Sequence, residues 1–361
     1  MIGPCPSNRS GPICLVLFNR ERLAMNTGWY PNKKQALILL MGLGLVFLVS
    51  YFQYKNWRIF HADNMEALLG ASYGVLDGTP HWRAYQNRIL GPLLIHVLGY
   101  VANEPFYLFM KAGFLALNLF VFGAVFSITG QMGRASLAVL GAALLWVLQN
   151  HYWAYPWDLV EAITLVLLVY FALRETFNFW TGLIVVLAAL NKETAMLIGF
   201  FFVLRGLALK LEKGRVDVRQ ICLGLALSMA SLALTEGLRH VLFNISSLQG
   251  VGQDPDHANF GNHWVILENW HDFKTLLAQP SALTLMMLFF LAALLTFLWK
   301  SVQSRQANRM ALSGALVLYV VALGLFGLIR ELRVFQPLMG CLAVLLACSG
   351  ADLRVRRPAA R

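Results

Sequence analysis

The feature that most limits how this chain can fold is a series of apolar runs of membrane-spanning length. Ten of them lie at roughly 35–53, 106–127, 135–149, 158–173, 177–190, 194–206, 221–238, 282–299, 310–329 and 334–349. In hydrocarbon no water pairs with backbone N–H and C=O groups, so a spanning segment must satisfy them itself. An apolar run near 20 residues does so as a helix. The expected fold class is therefore all-α: a polytopic membrane protein of about ten transmembrane helices with a large first non-cytoplasmic loop. Composition agrees. Charged residues make up 13% of the chain, against about 25% in a soluble globule. Three regions are expected: a disordered cytoplasmic tail (1–34), a membrane domain (35–350) and a basic cytoplasmic tail (351–361). Met25 offers an alternative start to Met1. A further run, 89–102, contains Gly91-Pro92 and is short for a span, so it reads as re-entrant or interfacial.

The net charge of +11 would suggest nucleic acid in a soluble protein. Here its distribution argues for topology and against a nucleic-acid partner. With the N-terminus inside, the cytoplasmic segments hold 19 of the 29 Lys and Arg but only 5 of the 18 acids. The positive-inside rule expects that asymmetry. A competing topology makes 89–102 a true span and fuses 177–204 into one helix, at the cost of moving Arg134 and Arg174 outside. The five cysteines have neither metal-ligand nor disulfide spacing, and three of them lie in apolar runs.

On the preferred topology the unusual polar segments share the non-cytoplasmic face: 54–88, 150–158, 191–194, 239–281 and 330–333. Charges at helix ends inside a bundle are costly, so they tend to mark a site or a pathway. Asp63, beside His61, is placed to act as a general base, or else to cap a helix over 65–72. Asp158 and Glu161 are three apart and share a helix face. They would orient sugar hydroxyls or hold a divalent metal, or simply favour the helix dipole. Lys192 and Glu193 interrupt an apolar stretch. Lys192 suits a phosphate as a point charge, or an internal pair joining two short helices. Arg330 and Arg333 suit a phosphate through the bidentate guanidinium fork, or lipid headgroups by snorkelling. The loop 239–281 carries Asp254, Asp256, His257 and His263, without a recognised ligand spacing, and reads as a polar lid.

His61-Ala-Asp63-Asn64, followed by Gly78-Thr-Pro-His81-Trp82 and Arg88-Ile-Leu-Gly91-Pro92, resembles the His-Pro-Asp-Glu motif region of lipid-phosphomannose-dependent mannosyltransferases. Ala and Asn stand here where that family has Pro and Glu. The segment from Tyr155 to Leu204 is similar to a recurrent pattern of the GT-C class of integral-membrane glycosyltransferases. In that pattern a Trp-Asp helix start leads to a basic turn (Arg174), a Gly-Leu helix (Gly182) and a further basic turn (Lys192). The resemblance implies an inverting hexosyltransferase that is metal-optional and needs no certain cofactor. It would use a polyprenyl-phosphate-linked sugar and a glycan, lipid or protein acceptor, on the non-cytoplasmic face of a bacterial inner membrane, among membrane lipids. Asp63 would be the catalytic base. Arg88, Lys192, Arg330 and Arg333 would meet the donor phosphate, and His61, His81, Trp82, Asp158, Glu161 and Glu193 would contact substrate. Three other readings remain open: a transporter or flippase, an O-antigen ligase or polymerase for lipid-linked saccharides, and a non-catalytic membrane partner.

Overall fold

Each of the ten apolar runs forms a helix in the computed structural model, which describes residues 33–80, 86–149, 154–175, 177–242, 266–278, 282–326 and 335–349. In chain order the helices are α1 (Lys33–His61), α2 (Met65–Leu76), α3 (Leu90–Leu98), α4 (Pro105–Thr129), α5 (Met132–Val147), α6 (Pro156–Arg174), α7 (Phe179–Ala189), α8 (Met196–Lys213), α9 (Val218–Leu242), α10 (Ile266–Ala278), α11 (Ala282–Ser304), α12 (Ala307–Phe326) and α13 (Gln336–Cys348). Short 3-10 turns over 62–64 and 193–195 lead into α2 and α8. No strand occurs among the described residues.

Among the described residues six segments are long and apolar enough to cross a membrane: Ala36–Leu76, α4, α6, Glu193–Lys213, α9 and Ala307–Leu325. The apolar helices α5, α7 and α13 are shorter. α3, at nine residues, rises only about 14 Å and spans nothing. The chain turns at 190–195 between α7 and α8, so 177–204 is not one helix. Both observations run against the competing topology.

α6 and α13 form the centre of the bundle. Thirteen of the 19 residues of α6 and 11 of the 13 of α13 are buried, as expected of helices at the core of a bundle. α1 is peripheral and turns Leu40, Met41, Phe47 and Phe52 outward. An exposed apolar surface of this kind faces lipid. Where α8 meets α9, small residues let two backbones approach. A Cβ on Gly224 would lie 2.6 Å from the Gly199 carbonyl oxygen and 2.7 Å from the Val203 nitrogen. Small residues at interfaces of this type are characteristic of helix pairs in lipid, where close van der Waals contact replaces the hydrophobic drive. Deeper in the bundle, Asn118 of α4 donates to Ser50 Oγ (3.0 Å) and Gln53 Oε1 (2.9 Å) of α1.

The helices alternate between two ends. At one end Arg134 reaches the Ala347 carbonyl, Arg174 the Ser127 carbonyl and Arg309 the Ser349 carbonyl, and Glu212 accepts from the Ala307 N–H. Arg205, Lys210, Lys213 and Arg215 also belong to this basic end. The opposite end gathers the close of α1 and the starts of α3, α6 and α8, joined by contacts between residues far apart in the chain.

The stretch 54–88 is less of a loop than its polarity implies. α1 continues seven residues beyond Tyr54, and α2 runs to Leu76. The physical reason is a one-turn repeat: Trp57 and His61 lie on one face and are buried, while Ile59 and Phe60 point outward.

Candidate functional site

Three polar stretches far apart in sequence meet at the end opposite the basic one. Pro156 opens α6, a position where its missing N–H costs nothing. Two residues later, Asp158 Oδ2 accepts from the Tyr155 N–H at 3.3 Å. An acid here also favours the helix dipole. α7 ends at Ala189, and the chain turns so that Asn191 Nδ2 donates to the Trp157 carbonyl at 2.8 Å. That bond fixes the turn against the start of α6 and brings in Lys192. α3 docks on the same place. A Cβ on Gly91 would lie 3.1 Å from Pro156 C and Trp157 N, so a side chain there would push the start of α6 back by a few tenths of an ångström. The Leu90 N–H donates to the Leu190 carbonyl at 3.1 Å.

The charged side chains are then paired. Lys192 Nζ lies 2.7 Å from Glu161 Oε2 and 3.4 Å from Asp158 Oδ1, and all three side chains are buried. Glu161 is the hub of the cluster. Its Oε1 also accepts from Thr194 Oγ1 and, at 2.6 Å, from the Tyr319 hydroxyl of α12. Arg88 Nη2 donates to Glu193 Oε1 at 2.7 Å, and Asn87 Nδ2 to Glu193 Oε2 at 3.3 Å. Asn87 Oδ1 accepts from Arg239 of α9 at 3.1 Å, and Arg239 pairs with Glu236. The Arg88 guanidinium stands 5.6 Å from the Trp157 ring centroid, and Trp157 stacks on Tyr155 at 4.4 Å. Glu193, with 35% of its side chain exposed, and Glu236, with 53%, are the parts of this assembly that open outward.

His61 is a strut between α1 and the start of α6. Its Nδ1–H donates to the Trp57 carbonyl at 2.8 Å, and its Nε2 accepts from the Ala154 N–H at 3.1 Å. These bonds fix the neutral Nδ1–H tautomer. With the ring 1% exposed and stacked on Trp57, both nitrogens serve the fold.

Asp63 sits in the 3-10 turn after this strut, exposed, at the same end of the bundle as the cluster. The N-cap position of α2 is held by Asn64, without a side-chain capping bond, and not by Asp63. His81, Trp82, Arg330 and Arg333 lie outside the described residues, as do Asp254, Asp256, His257 and His263. Among the described residues no group of three or more His, Cys, Asp or Glu is arranged to hold a metal ion.

Of the expected residues, Arg88, Asp158, Glu161, Lys192 and Glu193 come together in one cluster. Sequence reasoning missed Asn87, Thr194, Arg239 and Tyr319. A tyrosine inside the apolar run 310–329 was the available signal for Tyr319, because a buried phenol needs a partner. Comparison with known proteins finds no matching family model, no matching curated protein and no matching solved structure.

Proposed function

We propose that the chain is an integral-membrane glycosyltransferase. It transfers a hexose from a polyprenyl-phosphate donor to an acceptor hydroxyl of the cell envelope. In this reading ten helices cross the inner membrane of a bacterium, the N-terminus and the basic end lie in the cytoplasm, and the candidate site faces the other side. One observation carries the reading: residues 86–88, 155–161 and 191–194 converge in one ion-paired cluster, with an exposed carboxylate, Asp63, at the same end. Ionisable groups at membrane depth are expensive to keep. A site there also suits a substrate whose tail is in lipid and whose head is in water.

In the reaction Asp63 accepts the proton of the acceptor hydroxyl. The oxygen forms its bond to the anomeric carbon as the bond from that carbon to the phosphate oxygen breaks, with inversion. Polyprenyl phosphate leaves carrying the electron pair. Fixed positive charge stabilises that leaving group. Arg88 supplies it by exchanging Glu193 for the phosphate, and Arg330 and Arg333 supply more. Lys192, held by two carboxylates, acts through the shape and charge of the cluster. Asp158 and Glu161 keep that lysine and the 191–195 turn in place.

A carrier for lipid-linked saccharides is the second reading, favoured by the buried Lys192–Asp158–Glu161 triad. The test reconstitutes the purified protein in vesicles with a panel of polyprenyl-phosphate hexoses and envelope glycan acceptors. Release of polyprenyl phosphate with a new glycosidic product is expected. An intact donor with movement of lipid-linked saccharide between leaflets would overturn the transferase and support the carrier.

A further inference from the structure

At the basic end, away from the candidate site, a groove of about 540 Å³ runs between α5 and α13. Its α5 wall is formed by Leu137, Ala138, Gly141, Leu144 and Leu145, which follow the helical repeat, so one face of α5 lines it. Leu342, Ala343, Leu346 and Ala347 form the α13 wall. Leu137 and Leu144 are 69% and 60% exposed. A Cβ added to Gly141 would meet nothing within 4 Å, so the groove is open at its middle.

The end of this apolar groove is cationic. Arg134 Nη1 donates to the Ala347 carbonyl at 3.5 Å, and Lys300 Nζ to Ser349 Oγ at 3.4 Å. Arg309 reaches the Ser349 carbonyl at 3.3 Å. Neither Arg134 nor Lys300 has a carboxylate partner within salt-bridge distance among the described residues. A helix C-terminus by itself attracts cations, which accounts for one of them. It does not account for an apolar trough leading to that charge.

We infer that this groove binds an anionic phospholipid of the leaflet at the basic end, with its phosphate on Arg134 and Lys300 and an acyl chain along α5 and α13. Basic pockets between transmembrane helices on the cytoplasmic side recognise anionic headgroups in this way. The other occupant to consider is the chain's own tail, which continues from Ser349. That tail carries Arg354, Arg356, Arg357 and Arg361 against one acid, Asp352, and is net positive. It would set like charge against Arg134 and Lys300, whereas beside a bound lipid it adds to the attraction.

Native mass spectrometry of the full chain, titrated with phosphatidylglycerol or phosphatidylcholine, tests this. Wild type is expected to retain phosphatidylglycerol preferentially. Arg134→Gln with Lys300→Gln should weaken that retention about thirtyfold. Arg134→Lys with Lys300→Arg should keep most of it, which separates charge from damage to the fold. Gly141→Leu, which fills the groove, should weaken retention of both lipids. Equal retention of the two lipids by wild type would overturn the inference, as would unchanged phosphatidylglycerol retention in the double Gln variant. So would a large gain in bound lipid on deleting residues 351–361, because the tail would then be the occupant.

Discussion

Replacing Lys192 by alanine should damage the fold before it affects any donor. A lysine reserved for a donor phosphate would tolerate Lys192→Ala with its structure intact. The structure argues otherwise. Lys192 Nζ is 2.7 Å from Glu161 and 3.4 Å from Asp158, and the three side chains are 8%, 4% and 5% exposed. Without the ammonium, two carboxylates stay buried near each other and unneutralised. Removing one partner of a buried pair costs about 3–5 kcal/mol. Whole domains are stable by only about 5–15 kcal/mol. At roughly 2–4 °C per kcal/mol for chains of a few hundred residues, the melting temperature should fall by about 10 °C. Thermal unfolding of the purified protein in detergent, followed by tryptophan fluorescence, measures this. Lys192→Met combined with Asp158→Asn and Glu161→Gln removes all three charges at nearly constant volume and should recover most of the loss, because well-packed neutral replacements of buried ion pairs are tolerated. A Lys192→Ala protein melting within about 2 °C of wild type would refute the reasoning.

Tyr319→Phe removes one of the bonds to Glu161 and should cost about 1.5–3 kcal/mol, the range for hydrogen bonds to charged groups, read in the same melt. Gly224→Leu drives a side chain into the Gly199 carbonyl and Val203 N–H; it should destabilise by about 1–3 kcal/mol or more, whereas Gly182→Ala, with open space around the new Cβ, should be neutral or stabilising. For orientation, a membrane-impermeant maleimide applied outside should label a cysteine placed at exposed Asp77, and label one placed at exposed Lys213 only after permeabilisation. The reverse pattern would overturn the assignment of the basic end to the cytoplasm.

The helices were legible because membrane solvation imposes one rule on every apolar run. Each of the ten runs corresponds to one of the thirteen described helices, and α3 is too short to span, as the Gly91-Pro92 stretch implied. Ends were less legible. α1 outlasts its apolar run because Trp57 and His61 bury one face of a segment of mixed polarity, and a hydropathy pattern does not register two residues. In the candidate site, three-residue spacing put Asp158 and Glu161 on one face, as expected. The identity of their partner did not follow from spacing. Lys192 lies more than 30 residues away and arrives through the Asn191–Trp157 bond. Tyr319 arrives from a helix that carries no other signal of the site. His61 shows the same limit from the other side: its neighbour Asp63 suggested chemistry, while the backbone groups that occupy its ring come from Trp57 and Ala154.

The most direct test is transfer by purified Asp63→Asn protein in vesicles, with whichever polyprenyl-phosphate hexose wild type consumes. Asn preserves the size of the side chain, and the N-cap of α2 is Asn64, not Asp63, so melting temperature and donor retention should match wild type. Loss of a general base typically lowers the rate by about 10²–10⁴-fold, and a fall in that range is expected. Wild-type turnover by the Asp63→Asn protein would contradict it and remove the exposed carboxylate from the chemistry.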